Sequence, residues 1–581
     1  MKKVFTLHIA IAVGMAVSLA PAASAQDNAP DSFDQAVDRA IVQENNLLKI
    51  LRGEHPVVET YIQDLAKDPD FGAVPHTDHY YLGKLDLSNG VTAASFMPKK
   101  NSKTHALEVF THLFSIQYVP RGFAQMLLID GADFDRNHYN FEFQKREFLG
   151  DVRTLVVNVS PKKDAGAGRF VGRIWIEDHG YNVVRFNGTY SRPKAGEFYM
   201  HFDSWRVNAG PDLWVPFESY SEEEALPYAF GLRKLRYKGM TRIWGYTTAA
   251  DRSETEFTNL TVDLPQVKDS SDVEADTSPV EALRAWEHES EENVLARLEK
   301  ANLLAPPGEV EKVLNTVVNN LIITNNLNIT PEVSTRVILT SPLESFTVGH
   351  TIVISRGLLD TLPDEASLAA ILSHELAHIA LGQQFDTKYA FSDRVSFDDT
   401  QATKKFRFGR SAAEEQAAND KAVEYLEKSP YKDKLIQAGL YLKALQVESR
   451  ELPQLIKPLF GSGMTGGKDV TRMATLMARA PELQKDRVEQ ITALPLGSRT
   501  VLDPWTDQLR MAKMRPTPLL SAREKMPFEI TPVYLHLRYQ RPASEQSAAQ
   551  DPKQDTAPRA PVATLAQPDT HADQPQQIAQ P

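Results

Sequence analysis

The stretch Glu365 to Ala380 reads EASLAAILSHELAHIA, and its centre, His374-Glu375-Leu376-Ala377-His378, decides how the second half of the 581-residue chain folds. Two histidines four residues apart share one face of a helix, so both imidazoles reach one point, with Glu375 beside them. The surroundings predict that helix. Pro363 suits its first turn, Asp364 and Glu365 favour its positive end, and Leu368, Leu372, Leu376 and Ile379 form an apolar stripe for the opposite side. Such a set suits one zinc ion per chain, with His374 and His378 as metal ligands and Glu375 as the general base.

A catalytic zinc site needs a third protein ligand. No histidine occurs between His378 and His536, and Gln384 stands six residues after His378, which excludes a three-histidine set of that spacing. A carboxylate is left. Ser411-Ala-Ala-Glu414 reads as a capping box, which occupies Glu414 with the free backbone donors of a new helix. Glu415 is then free to be the third ligand, and Glu414, Asp386, Asp398 and Asp399 are the competing assignments.

Outward from this helix, the pattern predicts helices over Pro279 to Leu304 and Glu309 to Ile323, then strands at Arg336 to Leu339 and Thr351-Ile352-Val353-Ile354-Ser355. A metallopeptidase domain over 309–450 and a C-terminal helical extension over 451–540 follow, with glycine-rich Gly461 to Gly467 inside the extension. Residues 541–581 are dominated by Ala, Gln, Pro and Asp and cannot bury enough apolar surface to order, so they read as a disordered tail.

The first half reads differently. A helical segment is expected over 26–78, centred on Asp31 to Leu51, and an antiparallel sheet over 79–261. Short alternating runs such as Thr154-Leu-Val-Val-Asn-Val, Arg169-Phe-Val-Gly-Arg-Ile-Trp-Ile and Tyr181-Asn-Val-Val-Arg-Phe mark the strands. Asp178-His179-Gly180 and Lys194-Ala195-Gly196 supply hairpin turns. Residues 262–308 read as an acidic linker and helix. The fold class is therefore α+β: a curved antiparallel sheet, half a barrel, followed by a mainly helical metallopeptidase domain.

Lys2, Lys3, the apolar run Ile9 to Leu19 and Ala23-Ser24-Ala25 have the order of a secretory signal cleaved after Ala25, which predicts a periplasmic or secreted protein. With no cysteine, the signal is not a lipoprotein signal and disulfides contribute nothing. No later segment is long and apolar enough to span a bilayer. A formal charge of -12 without a cluster of Lys and Arg argues against nucleic acid as a partner.

Two resemblances follow from these residues. Phe170-Val-Gly-Arg-Ile-Trp-Ile-Glu, Tyr181-Asn-Val-Val-Arg-Phe-Asn-Gly and Leu213-Trp-Val-Pro-Phe-Glu-Ser-Tyr resemble the LolA/LolB-like lipoprotein-sorting fold. That fold implies a curved sheet around an apolar groove for acyl chains. The segments around Gly349 to Gly357, Glu365 to His378 and Glu415-x-x-Ala418 resemble the HtpX and BepA family of gluzincin metallopeptidases, related to the CAAX prenyl proteases. This second resemblance implies a zinc endopeptidase in which Glu415 is a ligand. It also implies that Thr351 to Ser355 is an edge strand able to hold an extended substrate.

The sequence departs from that family in three places. Asn419 stands where the family has an aspartate that would orient a zinc-bound histidine. Glu344-Ser345-Phe346 replaces Asn-Ala-Phe. The downstream His-Pro segment finds no histidine, which leaves Arg499 as a weak candidate for oxyanion stabilisation.

The favoured reading is hydrolysis of peptide bonds in protein or peptide substrates, with lipoproteins and outer-membrane proteins among the candidates. The competing reading is a periplasmic binding protein or chaperone, with the sheet taking a lipidated or unfolded client and a degenerate metal site. Glu375 favours the enzyme, because a binding protein has no need of a base beside the two histidines.

Overall fold

The computed structural model describes residues 33–68, 72–88, 91–96, 118, 120–191, 199–210, 212–228, 233–246, 279–383, 406–465, 470–483, 500–502, 508–511, 528, 530, 532 and 535–540. The export signal, the linker over 262–278, the turn at Lys194 to Gly196, the tail, and Asp386, Asp398, Asp399 and Arg499 lie outside them.

Helix α1, Phe33–Leu51, buries Ala36, Val37, Ala40, Glu44, Leu47, Leu48 and Leu51, a stripe at steps of three and four that needs an apolar surface beneath it. A ten-stranded antiparallel sheet supplies that surface. Its strands are β1 (Val57–Asp68), β2 (Gly72–Asp86), β3 (Thr92–Ser95), β4 (Tyr139–Leu149), β5 (Val152–Pro161), β6 (Phe170–Glu177), β7 (Val183–Tyr190), β8 (Phe202–Gly210), β9 (Leu213–Tyr228) and β10 (Arg233–Trp244). They lie in the order β3-β2-β1-β10-β9-β8-β7-β6-β5-β4. The sheet stays open, with β3 and β4 at its edges. It begins at Val57 rather than at 79, so the predicted helical segment contains two strands. Val57 to Ile62 sends Val57 and Tyr61 to one face and Val58 and Ile62 to the other, the period of two that a strand requires.

Both faces of the sheet are covered, and this explains strands such as β5, where Thr154 to Val157 are all buried. The inner face packs on α1 and on a short helix α2, Pro120–Gln125. Among the described residues, Phe123, Phe134, Tyr139, Phe170, Phe186, Tyr190, Phe202 and Tyr237 fill it. On the outer face, Leu537 packs with Val156, Trp175, Trp205 and Trp214.

The rest of the outer face carries the second half of the chain. Val57, Tyr61, Tyr80, Leu82, Phe217, Met240 and Trp244 share one core with the helices that follow. These are α3 (Pro279–Lys300), α4 (Glu309–Thr324), α5 (Arg356–Thr361), α6 (Glu365–Ala380), α7 (Ala412–Glu427), α8 (Leu435–Glu448), α9 (Pro453–Ile456) and α10 (Ala474–Arg479). Buried carboxylates secure the contact. Glu59 accepts the backbone N–H of Ser341 at 2.6 Å and its hydroxyl at 2.7 Å, and Asp78 accepts the N–H groups of Gln454 and Leu455 at 2.8 and 2.7 Å. Hydrogen bonds to charged groups contribute about 1.5–3 kcal/mol each, so the sheet is an integral support of the helical part.

A second sheet has the order β11-β13-β12-β14, from Ser334–Ile338, Glu344–Val348 (β12), Thr351–Ser355 (β13) and Ser462–Gly463. The predicted edge strand, Thr351 to Ser355, is thus interior, parallel to β11 on one side and antiparallel to β12 on the other. Its five buried residues have no free backbone edge for a substrate, and the continuous apolar run reflects that enclosure. The described residues of 451–540 likewise do not make a helical extension: they form α9, α10, β14 and the pair β15 (Thr500–Leu502) and β16 (Leu509–Met511).

Candidate metal centre

Helix α6 starts one residue later than its sequence suggests: Asp364 is the N-cap, accepting the N–H of Ser367 at 2.8 Å, and Pro363 precedes the cap. From Ala366 to Ile379 the helix is buried on all sides, so it runs through the core and holds its polar residues rigidly. Helix α7 packs across it. The predicted capping box is present: Ser411 Oγ accepts the N–H of Glu414, and Glu414 accepts the N–H of Ser411 at 3.0 Å. This occupies Glu414 and turns the buried Glu415 inward.

His374, His378 and Glu415 meet there. Their Nε2 atoms are 3.0 Å apart, and His374 Nε2 is 3.2 Å from Glu415 Oε2. Two nitrogens each about 2.0–2.1 Å from a tetrahedral zinc lie roughly 3.3 Å apart, so the observed spacing is close to what one ion requires. The donor chemistry agrees. Burial, reinforced by Arg472, lowers the His374 pKa to about 4, leaving the neutral imidazole that a metal ligand must be. Glu415 is held well below the usual carboxylate range, because its interactions with His374 and Arg472 outweigh the opposing effect of burial. Glu415 Oε1 is buried without a hydrogen-bond partner, a state that a cation would relieve.

His378 Nδ1 lies 2.5 Å from Gln383 Oε1. The amide oxygen can only accept, so Nδ1 carries the proton and Nε2 keeps its lone pair for a metal. Asn419, which stands at the position of the family's orienting aspartate and is the expected partner of a ligating histidine, uses its carboxamide elsewhere: it accepts the N–H of Met473 at 2.8 Å and donates to the carbonyl of Thr471 at 3.4 Å. A loop after α6 is short enough to return Gln383 to the histidine, whereas one helical turn beyond Glu415 carries Asn419 past it.

Glu375 is buried beside the cluster. Its Oε1 accepts Ser345 Oγ at 2.7 Å and Arg472 Nη2 at 2.5 Å, and Arg472 Nη2 also reaches Ser345 Oγ at 3.0 Å. Burial would raise the Glu375 pKa, but the Arg472 guanidinium above all, with the Ser345 hydroxyl, outweighs it and holds the carboxyl ionised. Arg472, 1% exposed, leaves Nε and Nη1 without partners. Local sequence points to Arg499 rather than to Arg472, whose only signal is an arginine among mainly apolar neighbours just after the glycine-rich stretch; that does not reveal a contact 97 residues away.

The site therefore combines three converging metal donors, an ionised carboxylate next to them and a buried guanidinium with spare donors. Residues 309–392 match the model of peptidase family M48, a zinc metallopeptidase family; Glu415 and Arg472 fall beyond the matched residues. No curated protein sequence matches the chain. Among solved structures, a LolA superfamily protein from Nitrosomonas europaea is similar to 37% of this chain and 92% of its own, at 11% identity and a TM-score of 0.19. The segment that carries His374, Glu375 and His378 thus lies within the residues that match the M48 model.

Proposed function

We propose that this chain is an exported, zinc-dependent endopeptidase that hydrolyses peptide bonds in envelope or misfolded proteins. The observation that carries the reading is the convergence of His374, His378 and Glu415 next to a carboxylate that Arg472 keeps ionised. His374, His378 and Glu415 would hold zinc, which when bound polarises a carbonyl and lowers the pKa of water.

The chain's own residues do the rest. Glu375 accepts the proton of the attacking water and passes it to the leaving amine. Ser345 and Arg472 fix its Oε1 from two sides, so the base does not have to find its orientation during the reaction. The unpaired Nε and Nη1 of Arg472 are positive donors in a water-poor site, suited to negative charge developing on substrate oxygen. With β13 enclosed between β11 and β12, it is not the strand that takes a substrate by strand addition.

Export rests on Lys2, Lys3, the apolar run and Ala23 to Ala25, and envelope substrates follow from that address. The binding-protein reading is weaker, because the inner face of the sheet is filled among the described residues. Metal analysis of the purified chain, combined with cleavage of an unfolded test protein, tests the proposal. Wild type should carry about one zinc, and Glu375→Gln should keep it while turnover falls about 10²–10⁴-fold. Absence of zinc, or undiminished cleavage by the Gln variant, would remove the reading.

A further inference from the structure

Asn419 is 4% exposed, and both ends of its carboxamide are bonded to backbone. The groups it holds, the carbonyl of Thr471 and the N–H of Met473, lie on either side of Arg472. Met473 has φ +52 and is the N-cap of α10, a left-handed conformation that a methionine adopts only when its surroundings fix it. The bracket therefore fixes the backbone from which the Arg472 side chain extends to Glu375.

We propose that Asn419 is a positioning residue for Arg472, which sets the guanidinium against Glu375, and not an orienting partner of a metal-bound histidine. This inference rests on the peptidase reading of the site. A carboxamide offers, on two separate atoms, both the donor that Thr471 needs and the acceptor that Met473 needs, whereas a carboxylate offers only acceptors. An aspartate here would keep the bond to Met473, face the Thr471 carbonyl with like charge, and present Arg472 with a rival to Glu375. Aspartate and asparagine at this position therefore belong to different arrangements of the arginine.

The two roles predict opposite results. A histidine-orienting role makes Asn419→Asp raise zinc affinity, since a carboxylate makes the imidazole more basic. A role through Arg472 leaves zinc affinity unchanged and lowers kcat about 10–100-fold, the loss expected when a reacting group is misplaced by about 1 Å.

The experiment uses the full chain with Asn419→Asp and Asn419→Ala, each alone and combined with Arg472→Ala. Zinc affinity, kcat, KM and amide hydrogen exchange over residues 470–479 are measured. The expected result is unchanged zinc affinity and reduced kcat in both single variants, no further loss in the Arg472→Ala background, and faster exchange at Met473 in Asn419→Ala. A changed zinc affinity, or losses that simply multiply in the double variants, overturns the inference. If wild type cleaves nothing, the peptidase reading fails separately, and unaltered exchange at Met473 in Asn419→Ala still overturns the bracket. Should Asn419→Ala fail to fold, Asn419→Asp retains one of the two bonds and carries the zinc and kcat arms.

Discussion

Two of the protein's buried arginine–glutamate pairs differ in what they leave over. Inside the sheet, Arg206 meets Glu44 of α1 through Nη1 and Nη2 at 2.6 and 2.7 Å, and Nη1 also donates to the carbonyl of Val183. Both carboxylate oxygens are engaged, and the pair ties the helix to the strands. In the metal centre, Arg472 meets Glu375 through Nη2 alone and keeps Nε and Nη1 unpaired. A buried charge without its full set of partners is costly, and Arg206 leaves only Nε unpaired where Arg472 leaves two nitrogens. On the proposed mechanism the first pair serves attachment and the second the reaction.

Truncating each arginine should separate these roles. Arg206→Ala leaves Glu44 buried and uncompensated, with an expected loss of about 3–5 kcal/mol of stability and no change in kcat per folded molecule. Arg472→Ala should cost about 10²–10³-fold in kcat, the loss typical of removing a donor at developing charge, with a smaller shift in the denaturation midpoint. Denaturant titrations beside kinetics decide the matter, and a reversed pattern would break the comparison.

Glu344 is a third buried carboxylate and an intermediate case. Its Oε2 accepts the N–H groups of Leu459, Phe460 and Gly461 at 2.9–3.2 Å, which fixes the approach to β14, while Oε1 has no partner. Burial, only partly offset by those N–H groups, raises its pKa from 4.5 to about 7. A raised folded-state pKa means that the folded protein retains a proton the unfolded chain releases. Its contribution is therefore most favourable below pH 4.5 and is lost as pH rises through about 7, by up to about 3 kcal/mol. Glu344→Gln should remove this slope, measured as the difference between stability profiles of variant and wild type at pH 4.5–7. An unchanged slope would place Glu344 with the fully compensated pairs.

The smallest effect sharpens the metal side. Gln383→Ala should weaken zinc binding about 10–100-fold without altering stability of the metal-free protein, because it frees the His378 ring from its orienting acceptor. Titration with a competing chelator measures this, and equal affinity in the variant would return the orienting role to another group.

Local rules explain what could be read in advance. The i, i+4 spacing of His374 and His378 and the capping box at Ser411 and Glu414 are properties of a single helical turn, and they identified Glu375 and singled out Glu415. Alternating runs identified most strands, and helical spacing identified α1, for the same reason. The strands at Val57 and Gly72 were missed because their neighbouring helix dominated the pattern.

What the sequence by itself determined, then, are features whose partners lie within a turn or a strand: the helix that carries His374 and His378, the alternation of most strands and the carboxylate left free beside a capping residue. Only the tertiary structure decided which strand lies inside the second sheet, what fills the inner face of the first, and which contacts Arg472, Gln383 and Asn419 make. Strand order, face filling and side-chain contacts across 52 and 97 residues depend on how separate elements pack against one another. Periodicity records which face of an element is buried, but not what buries it.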